Sequence, residues 1–343
     1  MIRFESDYTQ GAVPEILEAL IKTNMEQTPG YGEDKYCLSA ADKIRKELKC
    51  DSAAVHFLVG GTQTNFTFIA SCLRPHEGVI SASTGHINVH ETGAVEATGH
   101  KILPIESFDG KIKAEDIEAM VVAHENDASF EHITKPKMVY ISMPTENGTI
   151  YSKAELEAIY EVCKKKNLIL YIDGARLGYA MMCKENDVAF SDLPNLCDAF
   201  YIGGTKVGAL FGEALVIVNE KYKEDFRYIE KQKGAMLAKG RLLGLQFDTL
   251  FTDGLYFKVS AHAMKLADRI RAALKEKGIR VYYNSPTNQL FPMLTDEQMN
   301  KLKNDFSFCY WCKNGDLHVV RFCTSWATQE GDVDTLIDAI NAL

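Results

Sequence analysis

The stretch Leu170–Val218 reads LYIDGARLGYAMMCKENDVAFSDLPNLCDAFYIGGTKVGALFGEALVIV, and its reading decides the fold. It carries two short apolar runs that each end on a reactive side chain. Leu168-Ile169-Leu170-Tyr171-Ile172 delivers Asp173, and Ala199-Phe200-Tyr201-Ile202 opens through Gly203-Gly204-Thr205 onto Lys206. Short β-branched or aromatic runs bounded by glycine read as buried parallel strands. In open α/β sheets ligands sit beyond the carboxyl ends of such strands. An acid and an amine, each just past a strand, can therefore face one crevice. Taken singly, Asp173 reads as a turn or helix-capping residue and Lys206 as a solvated loop lysine. Their order, and the motifs around them, argue for a site.

One cofactor explains the pairing. Pyridoxal phosphate needs a lysine amine for its Schiff base and an acid to keep its pyridine nitrogen protonated. Its phosphate needs an anion cradle, and one lies upstream. Ala53–Val59 reads as a strand that ends at Gly60-Gly61-Thr62-Gln63-Thr64-Asn65, with a helix from Phe66 to Cys72 beyond. Glycines let the backbone approach closely, and free N–H groups at a helix start point at the anion. Gly61, Thr62 and Gln63, with Thr205 beside Lys206, are the candidates. No GxGxxG follows a strand and no Walker A lysine pattern occurs, so a dinucleotide or nucleoside triphosphate fits worse.

Asp-Gly-Ala-Arg at Asp173–Arg176 and Gly-Gly-Thr-Lys with Val-Gly-Ala-Leu-Phe-Gly at Gly203–Gly212 resemble the low-specificity threonine aldolase and β-eliminating lyase family. The resemblance runs from Ser6-Asp7 to Arg321. It implies a fold-type-I pyridoxal phosphate enzyme: an α/β large domain like that of aspartate aminotransferase, its mostly parallel sheet of the seven-stranded type, and a smaller α+β C-terminal domain. It implies that Gly61 and Thr62 hold the phosphate and that His86 stacks on the pyridine ring. It further implies that Arg176 and Arg321, helped by Ser6, bind the substrate's α-carboxylate. The reaction implied is cleavage of L-threonine or L-allo-threonine to glycine and an aldehyde. A homodimer or homotetramer with sites between subunits is implied too, Tyr31-Gly32-Glu33-Asp34 matching a motif that reaches the neighbour. The sequence departs from the better-known aldolases after the strand Val139–Met143. Where they carry a histidine that contacts the substrate hydroxyl, this chain has Glu146 or Thr145. A carboxylate can take a hydroxyl proton if its pKa suits, but the substitution leaves β-elimination or aminotransferase-like chemistry open. A catalytically idle relative that merely binds the cofactor is a third reading, against which the retained Lys206 argues.

The rest of the chain bounds these readings. At 343 residues it can bury a large core, divided here into residues 1–250, with a helical segment over 12–49, and residues 251–343. A net charge of −9 without a basic run argues against nucleic acid. No stretch is apolar enough to span a bilayer, and the start does not read as a secretory signal. Nine cysteines scattered through apolar runs suit reduced thiols in a cytoplasm. Cys309-Tyr310-Trp311-Cys312 has redox-like spacing but sits in an aromatic strand and reads as packing. His86 and His90-Glu91 lack a third ligand, so no metal is expected. Arg321 lies inside the apolar run Val319–Cys323, where an arginine needs an anionic partner: a carboxylate of the substrate or of the protein. Helices are predicted at 12–27, 39–48, 153–166, 261–277 and 332–343, with one long helix over 220–250, where Lys231, Lys233 and Lys239 are candidates for a neighbour's phosphate.

Overall fold

The computed structural model describes residues 1–343. Strands are numbered in chain order from β1 (Ile2–Arg3). The central sheet takes β2 (Ala54–Leu58), β3 (Glu77–Ala82), β4 (Ile102–Ile105), β5 (Lys135–Ser142), β6 (Ile169–Asp173), β7 (Ala199–Gly203) and β8 (Glu213–Ile217). Its order is β2-β8-β7-β6-β5-β3-β4. Neighbours run parallel except for β8, which is antiparallel to both β7 and β2. The exception follows from chain length. Only Gly204–Gly212 join β7 to β8, too few residues for the crossover that a parallel pair requires.

Every residue of β6, β7 and β8 is buried, because helices cover both faces. The period of two then sorts the side chains. Ile141, Ile172, Ile202 and Val216 enter one apolar cluster with Ile44, Leu177 and Phe247. Tyr140, Tyr171, Tyr201 and Leu215 enter the other with Phe68, Ile69 and Phe226.

Several elements differ from their sequence reading. The helix expected from Ser39 runs Lys35–Leu48, because the Asp34 carboxylate accepts from the Tyr36 and Cys37 amides at 3.0 Å each. Such a cap is worth about 1 kcal/mol and fixes the start. The helix after β2 spans Gly61–Cys72, so Gly-Gly-Thr forms its first turn and not a loop ahead of it. The helix that the sequence suggests from His90 through Val95 does not form, and His90 ends the single turn His86–Val89. The long helix over 220–250 breaks into a 3₁₀ turn at Glu220–Tyr222 and helices Phe226–Gln232 and Arg241–Leu250. Gly234, at φ +73°, turns the chain between the two helices. Ile279–Tyr283, whose apolar and aromatic residues suggest a strand, forms only an isolated bridge from Val281 to Pro292.

Beyond the helix Leu255–Glu276 come β9 (Gln289–Leu290), β10 (Met293–Leu294), β11 (Phe306–Ser307), β12 (Cys309–Asn314) and β13 (Leu317–Cys323). β13 is antiparallel to β9, β10 and β12. The start of the chain belongs with this layer: β1 pairs with β11, and Phe4 enters the cluster of Leu266, Ile270, Leu290 and Phe322. From there the backbone carries Asp7 to Arg176, just beyond the carboxyl end of the central strand β6. No helix is long and apolar enough to cross a membrane.

Candidate active site

The site begins with a repeated tripeptide. β5, β6 and β7 end in Tyr140-Ile141-Ser142, Tyr171-Ile172-Asp173 and Tyr201-Ile202-Gly203. Parallel registry lays Ser142 beside Asp173 and points the three tyrosines at one face. Asp173 Oδ2 accepts from Tyr140 Oη at 2.6 Å and from Asn65 Nδ2 at 3.0 Å, and Oδ1 accepts from the Ala175 amide at 3.0 Å. Burial alone would raise the Asp173 carboxyl. The charge of His86 and the donors of Tyr140, Tyr201 and Asn65 outweigh it and hold the group below the usual range. Asp173 is a buried, permanent anion.

His86 is tied into the same network. Its Nδ1 lies 2.7 Å from Glu91 Oε1, which also accepts from Asn65 Nδ2 at 2.8 Å. Burial favours the neutral ring, but Glu91 and the charge of Asp173 reverse this and raise the imidazole's pKa.

Lys206 follows β7 and, half-buried, lines with the buried Asp173 a cavity of about 260 Å³, lined also by Gly61, Thr62, His86, Glu146, Arg176 and Thr205. The Tyr179 hydroxyl donates to the Lys206 carbonyl, fixing its backbone. Burial and then the Arg176 charge push the ammonium below the ordinary lysine range, against the pull of Asp7, Asp173 and Glu213. A larger fraction of this amine is therefore neutral and nucleophilic than of a surface lysine.

The helix Gly61–Cys72 opens on this cavity with no side chain capping Gly60, so its first N–H groups are free for an anion. A Cβ at Gly61 would stand 2.9 Å from Tyr201 Oη, which is why this position excludes a side chain. Gln63 departs from expectation. Its amide is spent on the Val59 N–H and the Lys233 carbonyl, both at 3.3 Å, and faces away from the cavity. Thr205 Oγ1 lies in the cavity wall and donates to Glu213 Oε1 at 2.8 Å.

A second cavity of about 580 Å³ shares His86, Glu146, Arg176 and Lys206 with the first and adds Tyr8, His90, Cys309, Tyr310, Trp311 and Arg321. Arg321 is held from three sides. Nη1 donates to Gln289 Oε1 at 3.1 Å, Nη2 donates to the Glu5 carbonyl at 2.9 Å, and the guanidinium stands 5.5 Å from the Trp311 ring centroid. Its Nε is buried without a partner, as is Ser6 Oγ. Orphaned donors cost free energy unless a ligand meets them.

Arg176 does not stand open for a carboxylate as expected. Its Nε and Nη2 close on Asp7 at 2.6 and 3.0 Å, leaving its charge and one nitrogen for the cavity. Asp7 is drawn down to about 2; burial opposes this, and the charges of Arg176 and Lys206 overcome it. Of the two candidates after β5, Thr145 turns away to the Asp109 carbonyl and Thr149. Glu146 lines both cavities, its Oε1 accepting from the His86 amide at 2.8 Å and Ser142 Oγ at 2.7 Å. Burial raises its carboxyl, the Ser142 hydroxyl works against this, and the charge of Asp173 adds to it.

Tyr31 and Glu33 lie elsewhere, on a separate cavity of about 420 Å³ with Arg227 and Glu230. None of Lys231, Lys233 and Lys239 lines either cavity at Lys206; Lys231 Nζ instead stands 4.5 Å from the Tyr31 ring centroid. The sequence reading missed Asp7, Asn65, Glu91, Tyr140, Tyr201 and Glu213. The Tyr-Ile-x ending shared by three strands was the available signal for two of them.

The chain as a whole resembles known proteins. The β-eliminating lyase family matches residues 3–296 of this chain. The chain is 31% identical to the low-specificity L-threonine aldolase of Pseudomonas sp. (strain NCIMB 10558), over 99% of this chain and 97% of that one. It is 28% identical to the Pseudomonas aeruginosa enzyme of the same name, over 95% and 93%. The solved structure of Leishmania major threonine aldolase superposes with a TM-score of 0.96 at 44% identity, covering 100% and 99% of the two chains. Aspartate aminotransferase from Thermus thermophilus, at 14% identity and a TM-score of 0.70, covers 100% and 92% and shares the fold.

Proposed function

The chain belongs to the β-eliminating lyase family, and from that membership we propose that it is a pyridoxal-phosphate-dependent lyase that cleaves a β-hydroxy amino acid, L-threonine or L-allo-threonine, to glycine and an aldehyde. The observation that carries the reading is the convergence of a buried carboxylate, Asp173, and a half-buried amine, Lys206, on one cavity lined also by an uncapped helix start. When bound, pyridoxal phosphate supplies an electron sink at the substrate's α-carbon.

This chain's residues supply the rest. Lys206 anchors the cofactor through its amine, Asp173 keeps a proton on the pyridine nitrogen, and Gly61 and Thr62 hold the phosphate. His86 offers a flat face to the heterocycle. Arg321 binds the α-carboxylate, with the charge of Arg176 and the Ser6 hydroxyl in support. Fixing that carboxylate decides which bond at Cα stands upright, and hence which bond breaks. Glu146 takes the proton of the β-hydroxyl as the Cα–Cβ bond opens and the hydroxyl carbon becomes the aldehyde. Lys206 returns a proton to Cα.

Assaying pure protein with L-threonine and L-allo-threonine tests the reading. Acetaldehyde and glycine are the expected products. 2-Oxobutyrate and ammonia without aldehyde would convert the enzyme to a β-eliminating one. Two variants test the roles. Arg321→Lys keeps the charge but loses the fork; kcat/KM for threonine falls about 10- to 100-fold, the size of one charged hydrogen-bond pair, with KM raised by the weaker grip and kcat lowered by the poorer alignment. An unaltered kcat/KM removes Arg321 from the substrate site. Glu146→Gln lowers kcat about 10²-fold and removes the acid limb of the kcat–pH profile, because the wild-type carboxyl, held above its ordinary value, loses its basic form as pH falls through it. The same proposal extends to assembly as a homodimer or homotetramer, in which Tyr31 and Glu33, exposed on their own cavity, reach the neighbouring subunit.

A further inference from the structure

Glu213 is a carboxyl group in an unexpected place. It opens β8, opposite Leu58 of β2 and Gly203 of β7, and is 4% exposed. It lines the same cavity as Gly61, Thr62 and Lys206, where the proposed reading places the cofactor's phosphate. Its oxygens meet an amide and a hydroxyl in place of a cation: Oε2 accepts from the Gly204 N–H at 2.9 Å and Oε1 from Thr205 Oγ1 at 2.8 Å. Thr205 Oγ1 in turn accepts the Gly212 N–H at 3.0 Å. While Glu213 is ionised, the Thr205 hydroxyl hydrogen is therefore turned toward Glu213 and unavailable to the cavity.

A phosphate monoester carries about −1.5 to −2 charges at neutral pH. A buried carboxylate in the wall of the same cavity opposes it, and two buried like charges relieve the strain by binding a proton. On the reading that the cavity holds pyridoxal phosphate, we infer that Glu213 is a neutral carboxylic acid in the cofactor-bound protein and that binding draws a proton from solvent onto it. The protonated carboxyl then donates to Thr205 Oγ. The Thr205 hydroxyl hydrogen is freed and swings toward the phosphate, so one proton turns an acceptor pair into a donor.

The surrounding charges permit this. Burial pushes the Glu213 carboxyl up to about 7; the Thr205 hydroxyl, the Lys206 charge and the Gly204 amide restrain it, and Asp173 adds to the rise. Tyr201 on β7, Tyr171 on β6 and Tyr256 on the helix Leu255–Glu276 feel its charge, each raised first by burial. Arg176 and His86 stand across the cavity. β2 offers only Leu58. Free protein thus has a group half-ionised near neutrality, which an arriving dianion drives to the acid form.

The test is calorimetric titration of the apoprotein with pyridoxal phosphate, in phosphate-free buffers of differing ionisation enthalpy, from about pH 6 to pH 9. Wild type and Glu213→Gln are compared, since ionisations of the cofactor and of Lys206 are common to both. Above pH 7, wild type takes up as much as one proton more than the variant. Its affinity falls by up to tenfold per pH unit relative to the variant. Pyridoxal, which lacks the phosphate, abolishes the difference. Equal proton uptake by the two proteins, or an excess that persists with pyridoxal, overturns the assignment. Should the variant not fold, wild type alone decides, by excess uptake with pyridoxal phosphate over pyridoxal. Failure of wild type to develop the visible band of bound cofactor removes the cofactor reading itself, a result distinct from equal uptake.

Discussion

Replacing Lys206 with alanine is expected to lower turnover at least about 10³-fold, because one side chain both anchors the cofactor and moves a proton at Cα. The fold has little reason to suffer. The Lys206 backbone is fixed by Tyr179 through its carbonyl, which alanine retains, and removing an amine whose charged form is disfavoured by desolvation relieves that cost. Thermal stability should hold or rise while activity vanishes. Borohydride treatment of wild type followed by peptide mapping should place the cofactor on Lys206. An adduct on another lysine, or no adduct, would remove the central assignment.

Asp173→Asn is the second large effect. The amide occupies nearly the same volume but cannot balance a cationic pyridine nitrogen, and it presents a donor where Tyr140 and Asn65 already donate. Loss of one preorganised electrostatic partner lowers kcat about 10²- to 10³-fold. The imperfect hydrogen bonding left behind costs about 1–3 kcal/mol of stability. The two readouts separate: a large loss of turnover in protein that still melts cooperatively marks a catalytic anion, whereas parallel collapse of both marks a structural one. The sign of the pH dependence also follows. Asp173 is held below its ordinary value, so its stabilising charge is complete above the unfolded-state value and is lost only as pH falls through the lower folded one. The wild-type fold therefore keeps this contribution into mild acid, and the Asn variant shows no such acid transition.

The parts of the site legible in the sequence were those written locally. A strand, a glycine and a charged residue sit within a few positions of each other at Asp173 and Lys206, and a strand, a glycine pair and a helix do so at Gly61. The illegible parts are joined only by tertiary structure. Asp7 meets Arg176 across 169 residues, and Asn65 meets Asp173 across 108. No local pattern marks Glu91 or Glu213 as buried acids, since glutamate is ordinarily a surface residue. Gln63 misleads for the converse reason. Its backbone lies where an anion site requires, but the side chain of the third helical residue points sideways, to Lys233. The broken helix over 220–250 reflects the backbone at Gly234, which composition alone does not reveal.

The crossing of residues 2–7 into the C-terminal layer has a consequence for how the enzyme is made. Glu5 meets Arg321 across 316 residues, so at ribosomal speeds of about 5–20 residues per second these partners emerge on the order of 15–60 s apart. Segments synthesised first must stay unsettled until those synthesised last arrive. Catalytic competence is thus withheld from every nascent chain until Arg321 has been made and has met the segment around Glu5.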